Sequence, residues 1–381
     1  MGLSVPTTSD EDTDALPEVF APLAHHPAVQ ARKRLGDSSI DHARQLALVN
    51  RVLAAATMFR LTGAADSLLL YGHTFAGKTE IARMALLAMP RRRDAIRIMM
   101  PDGSGERICD DVPILYVKLL ATPSRLTLLD LMLQMIGDPF WHRGNETKKF
   151  SRLVTYLKAA RTALIIVDES NHLVDRGGTT VLEATADSLK IIHDATNIPQ
   201  VLIGIPSTIF IYLQNAQVQA RSVELPYRPY DWEDTAEGGE RDQFRQLLEA
   251  VFEVVGLPMA VSVTDEHMAA RLHYAAGGYG GRLVKLVRTL LDDMLAWAVA
   301  PSGPAIYSPQ GCTITVEGLA KAFEKAAWRQ LSPTTVLDPF AKGFVWSPPP
   351  SAHSNLFSEL QLPRKSKKRY KAEVLEKLTK G

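Results

Sequence analysis

Leu68-Leu69-Leu70-Tyr71-Gly72-His73-Thr74-Phe75-Ala76-Gly77-Lys78-Thr79 is an apolar run that ends in the spacing GxxxxGKT. The spacing has a physical cause: two glycines let a loop turn tightly enough to aim several backbone N–H groups at one set of phosphates. In such a loop the lysine reaches the β- and γ-phosphates and the following hydroxyl meets Mg²⁺, which assigns those parts to Lys78 and Thr79. The stretch needs a strand before it and a helix after it. Ile81, Met84, Ala85 and Ala88 continue at the i, i+3, i+4, i+7 spacing of a helix stripe that Pro90 stops. Gly72, His73, Thr74, Phe75, Ala76, Gly77, Lys78, Thr79 and Glu80 are therefore the expected nucleotide-binding segment.

Working outward, the next chemical signature is Ala163-Leu164-Ile165-Ile166-Val167-Asp168-Glu169, an apolar strand that ends in paired acids. Carboxylates at the C-terminal end of a strand lie where open α/β sheets bind ligands. Asp168 is the expected Mg²⁺ carboxylate beside Thr79, and Glu169 the residue that orients and activates an attacking water. His73 and His172 flank these groups and read as a variable loop position and a helix start.

The other strands expected are Val112–Leu119, Gln200–Ser207 and the short Val223–Leu225. With helices at about 27–60, 124–136, 147–160 and 180–195, and a short one near 209–214, strands and helices alternate as βαβ units do. The continuous apolar character of the strands suits a parallel sheet covered on both faces. Residues 91–105 read as an arginine run followed by a turn-rich loop. A stretch rich in Pro, Asp, Glu and Gly from Tyr227 to Gly239 marks a boundary, after which the pattern is all helical at about 240–255, 264–276, 281–299 and 315–330. The expected organisation is a flexible acidic tail over residues 1–20, an α/β nucleotide domain over 21–230, a helical domain over 240–332, and an extension with a basic tail over 333–381.

Composition sets outer limits. Of 381 residues, 46% are hydrophobic and 22% charged, ordinary for a globular protein and unlike a disordered one. No run of apolar residues is long enough to cross a membrane, and the N-terminus lacks a signal pattern, so the expected compartment is the cytoplasm with no membrane partner. Cys109 and Cys312 are the two cysteines, too few for a metal cluster of their own. The net charge of +1 argues against a globally basic nucleic-acid binder. It conceals an asymmetry: residues 1–20 carry acids and no Lys or Arg, whereas 364–381 carry eight basic residues against Glu373 and Glu376.

The phosphate loop, the acidic strand end, Val201-Leu202-Ile203-Gly204-Ile205-Pro206, Arg221-Ser222-Val223-Glu224-Leu225-Pro226 and Gly277-Gly278-Tyr279-Gly280-Gly281-Arg282-Leu283 together resemble the AAA+ ATPases. Within that superfamily their order, with Leu23-Ala24-His25-His26-Pro27 ahead of the first helix, is most similar to the transposition regulators TniB and TnsC. The resemblance covers roughly residues 20–330. It implies a P-loop α/β domain with a parallel five-stranded sheet flanked by helices, followed by a small all-helical lid. It also implies an ATPase that uses ATP and Mg²⁺, assembles as a ring or helical filament on duplex DNA, recruits a transposase and a target-selection protein, and hydrolyses ATP to disassemble. Arg221 matches the arginine finger that acts on a neighbour's ATP, and Arg282 the lid arginine called sensor two, with Lys285 and Arg288 one and two turns on. The first sensor is a polar residue at the end of the fourth strand. Here that end is Gly204-Ile205, leaving Ser207 and Thr208 as displaced candidates.

DNA contact is implied by the resemblance rather than by composition. The candidates are Arg91, Arg92, Arg93, Lys118, Arg125, Lys148 and Lys149, placed by the sequence in loops and helix starts near the second strand, with the basic tail from Arg364 to Lys380 as a further element. Such contacts follow phosphates and make binding steeply salt-dependent. Two other readings share the nucleotide residues: a replication-initiator or clamp-loader-like AAA+ ATPase, and an ATP-dependent scaffold without significant hydrolysis. A small-molecule P-loop kinase is disfavoured by Glu169 beside Asp168.

Overall fold

The computed structural model describes residues 21–99, 105–119, 124–172, 178–209, 221–299, 312–326 and 337–349. The expected acidic tail and the basic C-terminal tail fall outside the described residues, as does most of the helix expected at 209–214. The chain divides into two compact units, Ala43–Arg228 with Ser351–Gly381, and Met1–His42 with Pro229–Pro350.

The first unit is the expected α/β fold. Its strands are β1 (Ser67–Gly72), β4 (Ile114–Lys118), β5 (Leu164–Asp168), β6 (Gln200–Gly204) and β7 (Ser222–Tyr227), in the order β4-β5-β6-β1-β7. Every pairing in this sheet is parallel. Burial on both faces explains the continuous apolar runs. Leu68 and Leu70 are as buried as Leu69 and Tyr71, and β5 shows no alternation because Leu164, Ile165, Ile166 and Val167 are all fully buried. Strand β1 lies between β6 and β7, so the phosphate loop leaves the interior of the sheet, where its position is most firmly held.

Helices cover this sheet. After α3 (Ala43–Thr62), α4 (Lys78–Ala88) follows the loop and buries Ile81, Ala82 and Ala85. Helix α5 (Arg125–Ile136) starts at Ser124, whose hydroxyl accepts from the Thr127 N–H, and stops at Gly137 in the left-handed region. Its Leu128, Leu129, Met132 and Leu133 share one core with Leu153 and Leu157 of α6 (Glu146–Ala159) and with Leu115, Val117, Ile165 and Val167 of the sheet. Helix α7 (Gly178–Thr196) adds Leu189 and Ile192 to that core. Burying each such leucine fully contributes roughly 1.5–3 kcal/mol.

One element is a correction. Residues expected as an arginine run and loop form an antiparallel hairpin, β2 (Arg92–Met99) with β3 (Glu106–Asp111), outside the main sheet. Arg92 and Arg93 are therefore strand residues. The register shifts between Arg92 and Ile96, where Asp94 takes a φ of 50° and donates its N–H to Asp110 Oδ1 at 3.0 Å.

The second unit is helical: a single turn, α1 (Ala21–Ala24), precedes α2 (Pro27–Asp37), and α8 (Glu240–Val255), α9 (Glu266–Ala276), α10 (Gly280–Val299) and α11 (Val316–Glu324) follow the α/β unit in the chain. Helix α2 contributes Ala28, Ala31 and Leu35 to a core with Phe244, Leu248, Leu283 and Phe323. The apolar pattern alone runs this segment into α3 and the nucleotide domain; the structure breaks the helix at Ser38 and gives its apolar stripe to the C-terminal helices. Residues 337–349 pack on the same unit, with Phe340 against Phe323 and the Trp346 indole on His273.

Candidate functional site

The C-terminal ends of β1, β4, β5 and β6 form one edge of the parallel sheet, and the predicted groups meet there. The loop from Gly72 reaches α4 through Gly77, whose φ of 110° suits glycine far better than an L side chain. The Lys78 ammonium folds back over the loop, donating to Gly72 O at 2.8 Å and His73 O at 2.7 Å. Carbonyls hold the cation in the place where an anion would draw it outward.

Thr79 and Asp168, far apart in sequence, are joined directly: the Thr79 hydroxyl donates to Asp168 Oδ2 at 3.0 Å. The Tyr116 hydroxyl donates to the same oxygen at 2.9 Å, and the Glu169 N–H donates to Oδ1 at 2.8 Å. A hydroxyl and a carboxylate side by side are hard oxygen donors, the set that suits Mg²⁺, so Thr79 and Asp168 fit the ion assigned to them. Burial and the adjacent carboxylates of Asp168 and Glu169 push the Tyr116 phenol above its ordinary pKa, which keeps it a donor.

The two acids differ in surroundings. Asp168 is 2% exposed, whereas the Glu169 side chain is 36% exposed. One is enclosed by its donors and the other opens to water. Glu169 also has a φ of 58°, an uncommon backbone state for a non-glycine residue and one that concentrates at functional sites. The Lys118 ammonium stands 4.0 Å from Glu169 Oε1. Tyr116 and Lys118 are i and i+2 on β4, so one strand face addresses both acids.

At the end of β6, Gly204 is needed for space. A Cβ there would lie 1.9 Å from Thr208 Oγ1 and 3.1 Å from the Asn171 backbone nitrogen. Thr208 is fully buried, and its Oγ1 and Asn171 Oδ1 have no hydrogen-bond partner among the described residues. Of the two displaced first-sensor candidates, the structure brings Thr208 to the strand end.

Other predicted residues are placed elsewhere. Glu80 is bound through both carboxylate oxygens to Arg83, with Oε2 at 2.8 Å from Nε. His73 is buried, Phe75 is 45% exposed with a φ of 61°, and the His172 N–H donates to Glu169 O. Arg282 lies in the helical unit, buried, with its guanidinium 5.0 Å from the Tyr279 ring centre; Lys285 is exposed and Arg288 donates to Leu35 O at 3.4 Å.

Arg221 is at the opposite end of the sheet from the phosphate loop. Its carbonyl accepts from the N–H of Ser67, the first residue of β1, while the loop begins at Gly72, the last. Six residues of strand separate the two ends, about 17 Å at ~3.3 Å per residue. The Arg221 guanidinium pairs with Asp194 Oδ1 at 2.7 Å, near the C-terminus of α7.

The basic candidates divide by partner. Arg91 pairs with Asp110 at 2.5 Å and donates to Met135 O, fastening the hairpin to the end of α5. Arg92 pairs with the buried Asp111, and Lys149, itself buried, pairs with Asp130. Lys149 is thus a buried cation held by a partly exposed acid, and departs from the surface placement expected of it. Arg93 and Lys148 are exposed, and Arg125 lies 3.2 Å from Glu146 in a half-exposed pair. Tyr116 is the site residue that sequence reasoning missed; a hydroxyl inside an otherwise apolar strand was the available signal.

Known proteins share this fold. The family model described as Bacterial TniB protein matches residues 36–231, just over half of the chain. Among solved structures, the chain is similar to the Aeropyrum pernix Orc1 protein in complex with DNA, with a TM-score of 0.51 and 17% identity over 79% of this chain and 71% of that one. The Thermotoga maritima RuvB Holliday junction branch migration motor aligns with a TM-score of 0.41 and 13% identity over 76% and 72%. Identity at the level of Orc1 shows a shared fold, and the RuvB score adds nothing to it. No curated protein matches the chain.

Proposed function

The chain belongs to the bacterial TniB protein family, and on that premise we propose that it is an AAA+ ATPase regulating DNA transposition, which assembles on duplex DNA and hydrolyses ATP between adjacent copies. The observation that carries this reading is the separation of Arg221 from the phosphate loop along the length of β1. An arginine so placed cannot reach a nucleotide held by its own Lys78. In this reading it serves the nucleotide of a neighbouring copy.

In this reading Gly72 to Glu80 cradle the phosphates of ATP, and Lys78 exchanges the carbonyls of Gly72 and His73 for the γ-phosphate. Thr79 and Asp168 hold Mg²⁺, which when bound offsets the charge of the β- and γ-phosphates. Glu169 orients a water and takes its proton as the water oxygen bonds to the γ-phosphorus and the bond to ADP breaks. The neighbour's Arg221 stabilises the charge on the transferred group, a contribution worth roughly 10³–10⁵ in rate where such fingers are known. Arg282, as sensor two, acts in the same copy as the loop.

Duplex DNA is contacted through phosphates by Arg91, Arg92, Arg93, Lys118, Arg125 and Lys148, the candidates with exposed or half-exposed side chains. Lys149, the buried candidate, supports those positions from within its ion pair with Asp130. The assembly then recruits a transposase and a target-selection protein, and hydrolysis releases it. Imaging the protein with duplex DNA and a non-hydrolysable ATP analogue, alongside phosphate release with ATP, tests the proposal. Rings or filaments with the analogue and DNA-dependent hydrolysis support it. A monomer without assembly contradicts it, assembly without any hydrolysis favours a scaffold, and strongly sequence-specific DNA binding favours an initiator.

A further inference from the structure

We propose that Tyr116 is a positioning residue for the divalent cation, its hydroxyl fixing the Asp168 carboxylate in the orientation that receives the ion. The inference rests on reading the site as one for ATP and Mg²⁺, and adds to it a residue from a strand that carries no nucleotide motif.

Asp168 Oδ2 has two hydroxyl donors, Tyr116 at 2.9 Å and Thr79 at 3.0 Å, and they are held differently. Thr79 stands in the first turn of α4, at the end of the loop that receives phosphates. Its hydroxyl belongs to the metal once the ion is present. Tyr116 is in the middle of β4, where its backbone is registered against Ile166 of β5, two residues before Asp168. Its neighbours Leu115 and Val117 are 1% and 0% exposed, so the strand under it is fixed by the core. With the Thr79 hydroxyl given to an ion, Tyr116 would be the hydroxyl left on Asp168.

The carboxylate has room for both tasks. Two oxygens offer about four lone-pair directions. Tyr116 and the Glu169 N–H occupy one on each oxygen and Thr79 a third, which leaves capacity that an ion or its water would use. An outer partner that holds a ligating carboxylate in this way typically matters roughly 10- to 100-fold in metal affinity. A tyrosine that merely satisfies its own hydroxyl while filling space has no such effect.

Tyr116→Phe separates the two roles, because it keeps the ring and removes one oxygen. Binding of a fluorescent ATP analogue to the full chain is followed as Mg²⁺ is titrated, and again in EDTA, with the thermal unfolding midpoint recorded in parallel. The expected result is a half-saturating Mg²⁺ concentration raised about tenfold with unchanged affinity in EDTA. Tyr116→His, which restores a ring N–H donor, should fall between the two, and carries the test if Tyr116→Phe does not fold. A Mg²⁺ midpoint that stays put or falls overturns the role of Tyr116, whatever the unfolding midpoint does. The wild type distinguishes the two levels of the account: if it binds nucleotide with a Mg²⁺ dependence that the variants share, only Tyr116 loses its role, and if it shows no nucleotide binding at all, the site reading fails as well.

Discussion

Thr79 and Asp168 share one hydrogen bond, Oγ1 to Oδ2 at 3.0 Å, although the hairpin, strand β4 and helices α5 and α6 lie between them in the chain. The bond ties the start of α4, just after the glycine-lysine loop, to the acidic strand end. Thr79→Ala should therefore bind ATP in EDTA as the wild type does and lose most of the gain from Mg²⁺, about tenfold or more, in an equilibrium binding titration. Equal loss with and without metal would assign Thr79 to loop structure instead.

Glu169 is open to solvent where Asp168 is enclosed, which fits a base that must meet water. Removing the charge alone in Glu169→Gln should leave nucleotide binding and assembly on DNA intact while phosphate release falls by about 10²–10⁴. Unchanged turnover would move the base to another residue.

Arg221 and Asp194 form a pair whose side chains are 56% and 45% exposed. Exposed pairs contribute about 0–1 kcal/mol, so Arg221→Ala and Asp194→Ala should each shift the free energy of urea unfolding by less than ~1 kcal/mol. Hydrolysis should nonetheless fall in Arg221→Ala alone. A matching loss in both variants would make the pair itself the functional element.

Lys149 is expected to behave unlike its neighbour Lys148. Lys149 is buried and its partner Asp130 partly exposed, so Lys149→Ala removes a charged hydrogen bond and should destabilise the protein by about 1–3 kcal/mol. Lys148→Ala should leave stability unchanged and reduce the slope of log affinity for duplex DNA against log salt by about one. Chemical denaturation and a salt series of binding isotherms measure the two effects.

His273 carries a pH dependence of stability. Burial lowers its pKa to about 4, with the carbonyl of Tyr230 2.8 Å from Nε2 and the Trp346 indole nitrogen 3.3 Å from Nδ1. Below an unfolded value near 6.5 the unfolded chain takes up a proton that the folded chain refuses. The stabilisation is thus complete above about pH 6.5 and is lost as pH falls toward about 4, at up to roughly 1.4 kcal/mol per pH unit. His273→Gln should flatten the difference between unfolding curves recorded at about pH 7 and about pH 5.

Much of this was legible in the residues. Four apolar runs became the parallel strands β1, β4, β5 and β6 because each is largely buried, the short β7 lies at the sheet edge with Leu225 and Tyr227 buried, and the paired acids and the glycine-lysine loop marked the edge at which the strands end. The hairpin was not legible: its strands carry Arg92, Arg93 and Arg97 and stay outside the main sheet, so no apolar run announces them. Helix α2 exposed the opposite limit, since Ala28, Ala31 and Leu35 state that a face is buried and not against what. Tyr116 reaches Asp168 through the register of β4 on β5, a long-range relation that spacing within one strand does not contain.

The central claim is that the ATP site is completed by a second copy. Lys78→Ala lacks the phosphate lysine and Arg221→Ala lacks the finger, and each alone should hydrolyse ATP about 10³-fold or more slowly than wild type. Mixed on duplex DNA, the two variants form junctions in which an intact Lys78 faces an intact Arg221 across the interface. The account predicts that phosphate release recovers in the mixture to a substantial fraction of the wild-type rate. A mixture no more active than its components, or an Arg221→Ala protein as active as wild type, would contradict it.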